Sequence, residues 1–126
     1  MTRQAIATPN APAALGTYSQ GIKAGQTIYL SGQLGLDPAN GNLYPDIDRQ
    51  IDQAFRNLRA VATTAGASLD DAVKLTLFLT DLAHFAKVNE TMARYFTQPY
   101  PARSTVQVSA LPKGALFEAD AILVTA

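Results

Sequence analysis

The apolar residues of this chain change their spacing twice, and that change of period fixes the class of fold the chain can adopt. From Ile47 they recur three and four apart, at Ile51, Phe55, Leu58 and Val61, with Arg49, Asp52, Arg56 and Arg59 on other faces. This spacing predicts an amphipathic helix. Asp46 or Asp48 can cap its first turn, and Gly66 suits the left-handed residue beyond its end. From Val73 the period falls to two. Val73, Leu75, Leu77 and Leu79 alternate with Lys74, Thr76 and Phe78, the pattern of a strand with one buried face. The helical period then returns, with Leu82, Phe85, Val88, Met92 and Phe96 as an inner stripe behind a capping Asp81. Pro99 and Pro101 forbid its continuation.

Strand signals flank this helix, strand, helix core. Ser19 to Gln33 reads as two strands joined by a tight turn at Gly25-Gln26, and the segment DPANG after Leu36 supplies a further turn. Two more strands are expected at about Thr105 to Ala110 and Leu116 to Thr125, separated by the turn LPKG. Strands, helix, strand, helix, strands is an α+β order, best satisfied by a single sheet with two helices packed on one face. At 126 residues the chain has the size of one domain, and the whole span 1–126 reads as such. Ile28, Leu30, Val106, Val108, Ile122 and Val124 distribute apolar side chains over both sheet faces. A second surface must therefore cover the face the helices leave open, and a homo-oligomer in which sheets meet is the economical answer.

Composition narrows the function. Apolar residues make up 48% and charged residues 16%, a globular balance without a charged tail or low-complexity stretch. Ten Lys and Arg balance ten Asp and Glu, and the basic residues are scattered from Arg3 to Lys113, so a nucleic-acid footprint is not expected. The segment MTRQAIATPNAPAALG lacks an apolar signal region and no run approaches the length of a membrane span. A soluble, cytoplasmic protein with no membrane partner is expected. The absence of cysteine removes disulfide and thiolate chemistry and fits a reducing compartment.

The inventory of reactive groups is short. His84 is the single imidazole, so neither a zinc site nor an ordinary Ser-His-Asp triad is expected, and His84 reads as a solvated helix residue. GTYSQGIK, Gly16 to Lys23, superficially resembles a phosphate-binding loop, but Ile22 separates glycine from lysine and no Ser or Thr follows. No GxGxxG is present, and no metal or cofactor is expected. What remains is Arg103, set between Pro101 and a strand, and Glu118 within an otherwise apolar terminal strand. Each has a plain alternative: a surface or interface ion pair for the arginine, and its structural partner or a solvent-facing edge residue for the glutamate.

Four segments, in this order and spacing, carry a resemblance along nearly the whole chain. They are NAPAALGTYSQGIKAG from Asn10, TIYLSGQLGLDPANGNL from Thr27, VKLTLFLTDLAHFAKVNETMARYF from Val73, and PARSTVQVSALPKGALFEA from Pro101. The first is similar to a GPYSQ signature, and together they resemble the RidA (YjgF-type, reactive intermediate deaminase) family. The resemblance implies a chorismate-mutase-like α+β fold, a homotrimer with active sites between neighbouring subunits, and hydrolysis of small 2-imino acids released by pyridoxal-phosphate enzymes. The products would be 2-oxo acids and ammonia, and 2-iminobutanoate and 2-iminopropanoate the expected substrates.

Carried over residue by residue, the resemblance implies that Arg103 holds the substrate carboxylate and that Glu118 orients or deprotonates the attacking water. Ser31 and Gly32 would line the pocket floor and Tyr18 its wall. Thr105 would make a backbone contact, and Asn89 would support the cleft from the second helix. An iminium carbon is already electrophilic, so this chemistry needs neither metal nor covalent nucleophile. Two positions depart from the family pattern: Thr17 stands where GPYSQ has proline, and Thr105 where cysteine is frequent. Three other readings stay open at this level. One is a non-catalytic sensor of 2-oxo acids using the same arginine, the second an RNA-directed ribonuclease or translation inhibitor, and the third a holdase or structural partner protein, for which the apolar sheet face is the only motive.

Overall fold

A computed structural model describes residues 2–126. Six strands form one mixed sheet in the order β1-β2-β3-β6-β4-β5. They are β1 (Arg3–Ile6), β2 (Gly21–Ala24), β3 (Thr27–Leu34), β4 (Ala72–Leu79), β5 (Ala102–Gln107) and β6 (Phe117–Val124); the helices are α1 (Ile47–Thr64) and α2 (Phe85–Tyr95). β6 runs antiparallel to both β3 and β4, so those two are parallel to each other, with α1 as the crossover between them. α2 makes the second crossover, from β4 to its parallel neighbour β5. Among the described residues no helix is long and apolar enough to cross a membrane.

The local chemistry explains α1. Asp46 accepts the backbone N–H of Arg49 at 3.1 Å, satisfying a free donor of the first turn. At the other end Ala67 N–H donates to Ala62 and Gly66 N–H to Thr63, with Gly66 at φ 84. This is a Schellman cap, which requires a left-handed residue there. Ile51, Phe55, Leu58 and Val61 are fully buried against the sheet. Phe55 is the hub of an aromatic cluster, its centroid 5.7 Å from Tyr95 and Phe96 and 5.6 Å from Phe117. Tyr95 also donates its hydroxyl to Asp52 at 2.6 Å, joining α2 to α1. Burial and that carboxylate push the Tyr95 hydroxyl up to about 12.

Several sequence expectations give way to topology. β1 has no counterpart in them; it exists only by pairing with β2 at the sheet edge. Val73 does not join the buried row of Leu75, Leu77 and Leu79. The register of β4 against β6 shifts between Ala72 and Lys74, so Ala72 is buried and Val73 turns out. Asp81 caps a short 3-10 turn, Leu82–His84, instead of α2 itself. That turn displaces the start of the stripe, leaving Leu82 42% and Phe85 38% exposed while Val88, Met92 and Phe96 are buried. β5 begins at Ala102 and ends at Gln107, earlier than expected at both ends. Arg103 is consequently a residue of the strand.

Candidate active site

Arg103 takes its position from β5. Its register partner is Leu75, a buried residue of the helix-facing side, so Arg103 projects to that side at the sheet edge beneath α2. There Nη1 donates to Met92 Sδ at 3.2 Å and the guanidinium carbon lies 5.0 Å from the Phe85 ring centroid. A thioether is a weak acceptor and an aromatic face attracts a cation without occupying its N–H groups. The ion pairs among the described residues join Arg49 to Asp46, Lys87 to Asp48 and Arg94 to Asp52, and none includes Arg103. The arginine therefore keeps donors free for an external carboxylate. It borders a cleft of about 410 Å³ together with Asn89, Met92, Ala93, Tyr100 and Pro101.

Glu118 lies on central strand β6, where alternation buries Phe117 and Ala119 against the helices and turns Glu118 and Asp120 to the opposite side. A register shift in β3 between Leu30 and Gln33 brings Ser31 and Gly32 beside it. Ser31 Oγ donates to the Ser19 carbonyl at 2.5 Å, and its N–H to the Gln20 carbonyl at 3.0 Å. A Cβ at Gly32 would stand 2.8 Å from Glu118 Cδ, so glycine gives the carboxylate its room. Burial, then the neighbouring Asp120 charge, raises the Glu118 carboxyl above the ordinary glutamate range. Its cleft, about 360 Å³, includes Tyr18, Gly32, Leu34, Leu36 and Lys113 in its walls.

The expected site residues thus fall into two groups. Arg103, Asn89 and Thr105 belong to the helix-facing side at the β5 edge, whereas Tyr18, Ser31, Gly32 and Glu118 gather on or near the open face. One chain does not bring Arg103 and Glu118 together, and the ion pair between them is not formed. His84 ends the 3-10 turn before α2 and lines neither cleft. A larger groove of about 510 Å³ along α1, bordered by Arg56, Arg59 and Thr63, contains none of these residues. Its size carries no chemistry.

Residues 8–125 match the model of the endoribonuclease L-PSP family. A crystal structure of RidA from the Antarctic bacterium Psychrobacter sp. PAMC 21119 superposes with a TM-score of 0.95 at 49% identity, covering 97% of this chain and 99% of that one. The chain belongs to the RidA/YjgF family. Protein DfrA of Myxococcus xanthus is 48% identical over 99% of this chain and 98% of its own length. The bovine 2-iminobutanoate/2-iminopropanoate deaminase is 43% identical over 98% and 91%.

Other residues of this RidA-family chain shape the two clefts without having been legible as site residues. Buried Gln20 accepts from Thr8 N–H at 2.7 Å and donates to the carbonyls of Thr8, Ala11 and Pro12, bracing the loop that carries Tyr18 over the Glu118 cleft. Lys113 borders the same cleft from a backbone at φ 60, a conformation held by the LPKG turn. Met92, buried as expected, and Phe85, expected as core but partly exposed, together form the rest on which Arg103 lies.

Proposed function

We propose that this protein hydrolyses small 2-imino acids, such as 2-iminobutanoate and 2-iminopropanoate, to 2-oxo acids and ammonia. The observation that carries this reading is Arg103, a partly buried guanidinium resting on a thioether and an aromatic ring, with no carboxylate of its own. Such a group is built to take a planar carboxylate through paired N–H donors. The deaminase relative supports the substrate class. Glu118 supplies the base: a carboxylate made more basic by burial takes a proton from water as the water oxygen bonds to C2 of the iminium. The same proton then passes to the amine, the C–N bond of the tetrahedral adduct breaks so that ammonia leaves, and Glu118, again a carboxylate, takes the hydroxyl proton as the C2 carbonyl forms.

Because the two groups lie on opposite sides of the sheet, the complete site takes Arg103 from one copy and Glu118 from a neighbour. A homotrimer closed through the open sheet faces meets that need and covers Tyr29, Ile122 and Val124. The setting is cytoplasmic, where imines released by pyridoxal-phosphate enzymes arise. The decisive assay follows decay of 2-iminobutanoate generated by a coupled dehydratase, with ammonia release as readout; decay no faster than in buffer ends the deaminase reading. Mixing Arg103→Ala with Glu118→Gln after co-refolding tests the shared site. Random reassembly pairs an intact arginine with an intact glutamate at roughly a quarter of the sites, restoring activity neither variant has alone.

A further inference from the structure

Lys113 stands where the backbone favours a residue without a side chain. It lies at φ 60, ψ 19 and is followed by Gly114 at φ 69, so the LPKG turn holds two successive residues in the left-handed region and only the second is glycine. A β-carbon is disfavoured in that region, which glycine enters freely and Asn or Asp enters most readily among the rest. The turn itself is firmly held. Ala115 N–H donates to the Pro112 carbonyl at 3.1 Å, and Leu111 packs against the buried group Leu34, Leu36 and Ala115. The lysine side chain returns nothing to the fold for its backbone cost. It is exposed, and the lysine hydrogen bonds and ion pairs among the described residues belong to Lys74 and Lys87.

Its place in the site supplies a use. The lining of the Glu118 cleft contains two charged side chains, Glu118 and Lys113. A 2-imino acid arrives with a carboxylate, and an ionised base in the same cleft repels it. The chain as a whole does not offset that repulsion, because ten Lys and Arg against ten Asp and Glu leave no net charge to draw an anion in. Arg103 lies on the other side of the sheet and reaches this cleft only from a neighbouring copy. We infer that Lys113 is a substrate-capturing residue, whose ammonium, presented at the rim by the left-handed turn, attracts the substrate carboxylate and offsets the repulsion of Glu118. The anion then passes to the Arg103 guanidinium, which holds it through paired donors as a flexible, strongly hydrated ammonium does not. This inference rests on the imino-acid reading of the site and adds to it a group that the family resemblance left without a role.

The test compares wild type with Lys113→Met, Lys113→Arg and Lys113→Gly by imine-decay kinetics at low and high salt and by thermal unfolding. Lys113→Met keeps the apolar stem and removes the charge. It is expected to lower kcat/KM for 2-iminobutanoate about three- to tenfold in about 0.01 M salt, the effect of one charge a few ångströms from an anion in solvent. The loss falls on KM, with kcat near wild type, and Lys113→Arg keeps the wild-type values. In about 1 M salt, where a charge reaches only about 3 Å, wild type and Lys113→Met converge. Lys113→Gly loses kcat/KM as Lys113→Met does, yet melts at the wild-type temperature or a few degrees above it, since glycine takes the left-handed backbone without strain. Equal kcat/KM in wild type and Lys113→Met at low salt overturns the inference, as does a difference that high salt leaves unchanged. So does a lower melting temperature in either uncharged variant, which would give the lysine a structural contact in a neighbouring copy. A wild type that hydrolyses the imine no better than Lys113→Met leaves the deaminase reading standing and removes only the capture by Lys113. A wild type no faster than buffer removes both.

Discussion

The two faces of this sheet are made from the same strands and do different work. On the helix side Leu75, Leu77, Leu79, Phe117, Ala119 and Leu123 are withdrawn from solvent, and volume alone dictates their identity. On the other side the alternate residues include Thr76, Glu118 and Asp120 beside Tyr29, Val106 and Val124, which remain 50%, 41% and 43% exposed. That face mixes chemistry with apolar surface still to be covered. Arg103 and Thr105 are polar residues on the helix side, and they occur on β5, an edge strand that the helices cover incompletely. Packing and chemistry are therefore separated by strand parity in the centre of the sheet, and by distance from the helices at its edge.

The sharpest test sets one residue of each kind against the other. Leu77→Ala empties a fully buried position between β5 and β6 and should cost about 2–5 kcal/mol in urea unfolding, with kcat/KM of the folded protein largely retained. Arg103→Ala should reverse the pattern. It is expected to lower kcat/KM at least about a hundredfold while unfolding within about 1 kcal/mol of wild type, because it removes carboxylate capture and no core volume. An Arg103→Ala protein that unfolds as readily as Leu77→Ala would place the arginine among the packing residues and dissolve the distinction.

Two glycines of the β3 region sharpen the same contrast at smaller scale. A Cβ at Gly35 would collide with the backbone of Gln50 in α1, whose carbonyl oxygen would lie at 2.6 Å, and a helix cannot step aside. Gly35→Ala is expected to destabilise by about 1–3 kcal/mol. At Gly32 the obstacle is the end of the Glu118 side chain, which can rotate away. Gly32→Ala should leave stability nearly unchanged and reduce kcat about tenfold or more as the base is displaced from its water. Equal stability losses in the two variants would show that the carboxylate is as firmly fixed as the helix backbone.

Which of these features the sequence discloses follows from their range. α1 is written locally: Ile51, Phe55, Leu58 and Val61, the Asp46 cap and the Gly66 stop all act within a few turns, and each is found as expected. β1 is not, because RQAI has no alternation of its own and becomes a strand only through β2. The buried amides Gln20, Gln50 and Asn57 look like ordinary polar residues, since their partners are loop carbonyls far along the chain or beyond a turn. Arg103 stood out as a charge set between Pro101 and an expected strand and Glu118 as a charge within an apolar strand, and the resemblance supplied their roles. Their separation onto opposite sheet sides could not be read, since it depends on the pairing of β5 with β4 and of β4 with β6. Val73, one residue from a register shift, fails for the same reason.

The smallest expected effect concerns the cost of placing a base on the open face. Burial holds the Glu118 carboxyl above its ordinary value of 4.5, with Asp120 adding to the rise. Between the unfolded and the folded value the folded chain binds more protons than the unfolded chain, so stability falls as pH rises through that window. Above the folded value the penalty is complete, and below the ordinary glutamate range it vanishes. Glu118→Gln, which carries no charge at any pH, should therefore be more stable than wild type at pH 7. The difference should be under about 1 kcal/mol, because water still screens a half-exposed carboxylate. It should shrink toward zero as the pH is lowered past 4.5. Urea midpoints of the two proteins across that range provide the measurement. A wild type more stable than Glu118→Gln at pH 7 would mean that a cation or donor of a neighbouring copy holds the carboxylate, and Glu118 would then be paired for structure instead of poised for proton transfer.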